Sequence, residues 1–174
     1  AAYSDGMSKR SIGEDITLKD LISYAIMYSD NTAHFMLYDY IGKDNLKTYG
    51  KSLGAKNILS SGDSFGNQSA SDTNIYLKHA CDIINSGSEY GKLLKEYMTN
   101  TYYNSLYLTE EGNNNVAHKY GWYSTYYHDI GIVYEKNTYS KAAGRRSILH
   151  KRAGRFAATA FSGGRNRGYF KAFL

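Results

Sequence analysis

Apolar residues recur at helical spacing through most of the first hundred positions, interrupted by short polar clusters. Leu18, Leu21, Ile22, Ala25 and Ile26 form one apolar stripe behind Thr17 and Asp20, which read as an N-cap and its box-like partner. The stripe runs into Tyr28-Ser29-Asp30-Asn31, where short polar side chains compete for backbone hydrogen bonds and favour a break. Asn31 or Thr32 is expected to cap a second helix through Phe35, Met36, Leu37 and Ile41, stopped by Gly42. Asp44 is expected to cap a third through Leu46, Tyr49 and Leu53, stopped by Gly54. A helix starting at Ser71-Asp72 carries Ile75, Ala80, Ile83 and Ile84, and a shorter one covers Glu89 to Met98.

The pattern changes in two places. Residues 55–70 are rich in Gly, Ser and Asn and read as a long loop, a length that usually carries function or disorder. Past the last helix the chain is tyrosine-rich and expected to be extended over 101–108, and Glu111-Gly112-Asn113-Asn114 is a turn signal. Val116–Tyr123 and Tyr126–Glu135 then read as two strands joined across Ser124-Thr125, because both runs are aromatic and β-branched. Ile130, Ile132 and Tyr134 alternate with Gly131 and Val133, as in a strand covered on both faces. Helices followed by a hairpin make an α+β pattern.

Composition narrows the picture. A chain of 174 residues with 42% hydrophobic and 21% charged residues is one ordinary globular domain. No stretch approaches the run of about 18 apolar residues that spans a membrane. No signal peptide is visible, and the first residue is Ala, so the true N-terminus is expected to lie outside this sequence. The single cysteine, Cys81, sits among apolar residues and reads as a small buried hydrophobe. No histidine pair has metal-ligand spacing with a third ligand nearby, so no metal or cofactor is expected; His118 and His128 read as structural.

The net charge of +5 conceals a divide. Residues 1–139 hold 12 Lys and Arg against all 16 acids, whereas residues 140–174 hold nine basic residues and no acid. Eighteen of the 35 residues in that tail are Ala, Gly or Arg. Residues 1–139 therefore read as the main domain and 140–174 as a basic, Arg/Gly/Ala-rich tail. The shift in residue usage is as sharp as the shift in charge, which points to an aberrant terminus and predicts an unfinished sheet with an exposed edge.

Two triplets carry candidate chemistry. Ser29-Asp30-Asn31 ends the first amphipathic helix, and Lys119-Tyr120-Gly121 lies in the first strand of the hairpin. An acyl-transfer enzyme built on serine and lysine needs a nucleophile beside a base, a proton-relaying hydroxyl, a cation for a substrate carboxylate and an oxyanion hole. The motif set S-x-x-K, S-D-N and K-T-G supplies the first three.

On these residues the chain resembles the class A β-lactamase and penicillin-binding-protein superfamily of serine hydrolases. The resemblance extends along Leu21-Ile22-Ser23-Tyr24-Ala25-Ile26-Met27-Tyr28-Ser29-Asp30-Asn31-Thr32-Ala33, Val116-Ala117-His118-Lys119-Tyr120-Gly121-Trp122 and His128-Asp129-Ile130-Gly131-Ile132-Val133-Tyr134, and covers residues 10–137. It implies a β-lactamase/transpeptidase-like fold, a helical subdomain plus an antiparallel sheet, here partial. It implies an enzyme that acylates a serine with a β-lactam or cell-wall peptide and hydrolyses the adduct, the reaction behind antibiotic breakdown. Ser29 would relay a proton, Asn31 would bind the substrate amide, and Lys119 would bind the substrate carboxylate. Tyr120 takes the place of the usual Thr or Ser, Gly121 would leave room for substrate along the strand edge, and Asp30 would turn inward to brace the loop. No cofactor, an extracytoplasmic location and a monomer are implied as well.

The departures shape the expectation. No serine lies three residues before a lysine; only Thr48 and Thr138 have that spacing, and neither precedes Ser29. The nucleophile is therefore expected upstream of Ala1, and this chain is expected to be inactive. The loop at 55–70 contains no glutamate, which such enzymes use for deacylation. The D-Ala-D-Ala carboxypeptidase reading stays beside the β-lactamase one. From other classes stand a non-catalytic binding module, and nucleic-acid binding through the arginines and aromatics of the tail, although no nucleic-acid partner is expected. Gly62-Asp63-Ser64-Phe65-Gly66 matches a nucleophile elbow, but no apolar helical face follows it.

Overall fold

The structure is a computed structural model and describes residues 6–58, 68–102, 116–123, 126–134, 149–151 and 154–162. A 3-10 turn (Met7–Lys9) precedes five helices: α1 (Leu18–Met27), α2 (Asn31–Ile41), α3 (Lys43–Ser52), α4 (Ala70–Asn85) and α5 (Glu89–Thr99). Four strands follow, β1 (Val116–Tyr123), β2 (Tyr126–Val133), β3 (Leu149–Lys151) and β4 (Gly154–Ser162). The α+β order expected from the sequence is the order observed.

The helix starts show which side chains win the orphan backbone N–H groups. Thr17 caps α1 and accepts from the Asp20 N–H, as its position suggested. α2 is capped by Asp30, not by Asn31 or Thr32: its Oδ1 accepts from Ala33 N at 2.9 Å. Asp44 does not cap α3 but lies in its first turn, behind an uncapped Gly42 whose φ of 83° suits glycine. α4 begins earlier than Ser71, at a capping box in which the Ser69 hydroxyl and the Asp72 carboxylate serve each other's backbone. At α1, α2 and α4 a short side-chain acceptor just ahead of the helix takes the N–H three residues on.

The strands form one sheet in the order β1-β2-β4-β3, all neighbours antiparallel. β1 and β2 pair from Val116 opposite Val133 to Tyr123 opposite Tyr126, the register that the two-residue Ser124-Thr125 connection predicts. β2 stops at Val133, short of Glu135. Its other edge is taken by β4, from Tyr126 opposite Ser162 to Val133 opposite Arg155. β2 therefore lies between two strands, and the tail, expected to leave the sheet unfinished, supplies one of them, while β1 keeps an edge with no described partner strand. Extended backbone satisfies the ladder whatever the side chains, so an Ala-rich stretch of weak strand propensity pairs when its neighbour offers an open edge.

One face of the β1–β2 ladder closes the core. Ala117 and Ile132, both fully buried and opposite each other, pack with Leu77, Cys81 and Ile84 of α4 and Met98 of α5. Cys81 is a buried member of this cluster, and burial pushes its thiol up from the ordinary value. On the other face Gly131 sits opposite His118, and a Cβ there would lie 2.9 Å from both the Ala117 carbonyl oxygen and the His118 Cβ. Glycine leaves the imidazole its room.

Loop residues 59–67 and the elbow-like Gly62-Asp63-Ser64-Phe65-Gly66, together with the extended stretch from 103 and the turn at 111–114, lie outside the described residues. No described helix is long and apolar enough to cross a membrane.

Candidate active site

The two triplets meet. Ser29, at the end of α1, and Lys119, on β1, are 90 positions apart, yet the Lys119 ammonium donates to Ser29 Oγ. It also donates to the Tyr120 carbonyl at 2.7 Å, so two oxygens fix the cation at the edge of the sheet. β1 has β2 on one side and no described strand on the other.

The α1–α2 junction is built to present that serine. Ser29 has φ of 51°, the only non-glycine residue in the left-handed region among those described. A left-handed L-residue costs about 1–2 kcal/mol, and such outliers persist where their surroundings impose them. Asp30 imposes it. Its side chain is completely buried; Oδ1 caps α2, and Oδ2 accepts from Gly6 N at 3.1 Å and Met7 N at 2.8 Å. One carboxylate thus ties the N-terminal turn to the start of α2, and its own N–H reaches the Tyr24 carbonyl in α1. Tyr102 N donates to the Met27 carbonyl at 2.7 Å, and Tyr24, Tyr28 and Tyr102 pack in sequence with centroids 6.0 and 6.1 Å apart. Asn31 opens α2 as its first residue, half-buried beside this junction. Tyr120 and Gly121 continue β1 past the lysine, opposite Asp129 and His128.

Lys119 is electrostatically unusual. Burial pushes its ammonium down, the Asp129 carboxylate pulls it partly back, and the balance settles at about 8. At that value the group is still mostly charged at neutral pH.

Beneath it lies a network that the motifs alone did not disclose. His118 Nδ1 is 2.9 Å from Asp129 Oδ1, and its Nε2 is 2.7 Å from Thr101 Oγ1. All three are buried, with exposures of 2%, 0% and 8%. His118 and Asp129 are diagonal neighbours on one face of the ladder, and Thr101 follows α5. The available signal was register: once the Ser124-Thr125 connection sets Tyr123 against Tyr126, His118 and Asp129 fall on the same face two positions out of step. Among the described residues no group of three or more His, Cys, Asp or Glu side chains is placed to hold a metal ion.

The chain is similar to known proteins in sequence family and in fold. The family model described as the beta-lactamase enzyme family matches residues 1–144. Thirteen chains of solved structures match. One is the extended-spectrum β-lactamase TLA-1, at 20% identity and a TM-score of 0.70, over 95% of this chain and 63% of that one. At that identity the likeness speaks for the fold, and this chain spans less than two thirds of that protein's length. No curated protein matches. A helical subdomain packed on an antiparallel sheet, a serine triplet at a helix junction facing a lysine triplet on the edge strand, and a family match over most of the sequence together place the chain in the beta-lactamase enzyme family.

Proposed function

We propose that this chain carries the substrate-holding half of a serine β-lactamase-like site, and that its 174 residues alone bind β-lactams without turning them over. One observation supports this reading most strongly: Lys119 Nζ joined to Ser29 Oγ across 90 positions. A cation at a strand edge suits the carboxylate of a β-lactam or a cell-wall peptide. The hydroxyl touching it suits proton relay to a departing nitrogen. Asn31 binds the substrate amide, and Gly121 and the carbonyl of Tyr120 flank the substrate along β1. The larger Tyr120 side chain, where a smaller hydroxyl residue is usual, narrows the acyl groups accepted. The protein acts as a monomer outside the cytoplasmic membrane, where such substrates occur.

The test uses a labelled penicillin and the purified chain. Reversible binding is expected, weakened at least tenfold in Lys119→Met, with no covalent adduct by intact mass. A stable adduct overturns the claim of inactivity. Equal binding by Lys119→Met and the parent chain overturns the role of the lysine.

A further inference from the structure

Thr101 has no part in the reading above, yet it lies where the two halves of the site are tied together. Its hydroxyl is 2.7 Å from His118 Nε2 on β1, and the next residue, Tyr102, donates its N–H to the Met27 carbonyl at the end of α1, also at 2.7 Å. His118 is the chain neighbour of Lys119, and Met27 stands two residues ahead of Ser29. With the Lys119–Ser29 contact these bonds close a ring. It runs from Ser29 through Tyr28 to Met27, across to Tyr102 and Thr101, across to His118 and Lys119, and back to Ser29. Three short stretches of chain and three hydrogen bonds thus join α1, the exit of α5 and β1.

Both ends of the Thr101 link are anchored. The other ring nitrogen of His118 is bonded to Asp129 Oδ1 at 2.9 Å, so the imidazole is fixed from two sides. Tyr102 stacks on Tyr28, with ring centroids 6.1 Å apart and planes 30° from parallel. Thr101 and His118 are buried, so breaking their bond strands a polar atom away from water. His118 and Lys119 are successive residues of β1, and their side chains leave the strand on opposite faces. Thr101 therefore fixes β1 through the face turned away from the lysine, and leaves the lysine's own face to Ser29 and to substrate.

We infer that Thr101 is a positioning residue: by tying the exit of α5 to β1 while the following amide holds α1, it sets the spacing at which Ser29 and Lys119 meet. A lysine side chain has many rotamers to lose. Its contact with Ser29 cannot by itself hold two elements in place while a bound carboxylate competes for the ammonium. Binding geometry of this kind tolerates about 0.5 Å of misplacement, so a second tie between the same elements matters. The inference rests on the reading of Ser29 and Lys119 as a substrate-holding pair, but it concerns their spacing and not what they bind.

The experiment is a double-mutant cycle on the intact chain without ligand. Urea denaturation of the parent, Ser29→Ala, Lys119→Met and the double variant gives the coupling between hydroxyl and ammonium, expected at about fivefold in the unfolding equilibrium constant. The cycle is repeated in Thr101→Val, which keeps the shape and removes the hydroxyl, and in Thr101→Ser, which keeps the hydroxyl. A destabilisation common to all four corners cancels, so a merely structural role for Thr101 leaves the coupling unchanged. The coupling is expected to fall below about twofold in Thr101→Val and to stay near the parent value in Thr101→Ser. Should Thr101→Val not fold, Thr101→Ala, whose smaller side chain admits a water to the imidazole, takes its place. A coupling equal to the parent's without the hydroxyl overturns the inference, as does one lost equally in Thr101→Ser or absent from the parent. Failure of both Thr101→Val and Thr101→Ala to fold overturns it too, because the hydroxyl then serves the fold and not the spacing. No penicillin is present in the cycle, so a failed penicillin-binding test removes the proposed substrate and leaves this result standing.

Discussion

Ser29 combines two demands that pull against each other. Its hydroxyl meets Lys119, but its φ of 51° belongs to glycine. Ser29→Gly and Ser29→Ala both remove the hydroxyl, so the difference between them isolates the backbone. Ser29→Gly is expected to be more stable than Ser29→Ala by about 1 kcal/mol, or roughly 2–4 °C in Tm for a chain of this size. Equal melting temperatures would show that the junction carries no strain at this residue. Ser29, Asn31 and Lys119 were legible in the sequence because each lies in a contiguous triplet whose chemistry depends on residue type. Thr101, His118 and Asp129 were not, because their meaning arises only when α5, β1 and β2 come together. A histidine in a strand reads as structural until a buried carboxylate is found beside it.

At the scale of elements, Asp72 shows how one side chain fixes a helix and the chain ahead of it. Besides its part in the capping box of α4, its carboxylate accepts from Lys56 N at 2.8 Å and from Asn57 Nδ2 at 2.9 Å. Both ends of the loop that starts after α3 are thereby held at the head of α4. Burial raises this carboxyl, but the hydrogen bonds from Lys56, Ser69 and Asn57 outweigh it and bring the group from 3.8 down to about 2. A folded value below the unfolded one stabilises the fold above the unfolded value, and that stability is lost as pH falls towards 2. The difference corresponds to about 2–3 kcal/mol. Urea denaturation should therefore show Asp72→Asn less stable by about 2 kcal/mol at pH 7, with the gap closing between pH 4 and pH 2. A gap independent of pH would mean that packing, not the charge, is what the substitution removes. The existence and order of these helices were readable from the apolar stripes, and so were the starts of α1 and α5, but the caps of α2, α3 and α4 were not. Several short polar residues compete for each cap, and tertiary acceptance decides among them: Asp30 prevails over Asn31 because Gly6 and Met7 also need its oxygens.

For the molecule as a whole, the tail is where sequence and structure part most. Residues 140–174 differ abruptly in charge and composition, and their Ala, Gly and Arg content hides a strand. β4 is a strand because β2 offers it a ladder, a fact of assembly that no local propensity encodes. Truncation before residue 140 is expected to lower the unfolding temperature and to produce concentration-dependent aggregation, since it uncovers the edge of β2. Light scattering and thermal melts of the shortened chain measure both, and a monomeric product with an unchanged melt would make the tail dispensable to the fold. The same pairing sets a schedule. Twenty residues lie between Val133, the last of β2, and Gly154, the first of β4. At a synthesis rate of about 5–20 residues per second, β2 emerges roughly one to four seconds before its partner begins to appear. For that interval a finished hairpin waits on the ribosome with one side unpaired, and the yield of folded protein in a cell depends on what shields it meanwhile.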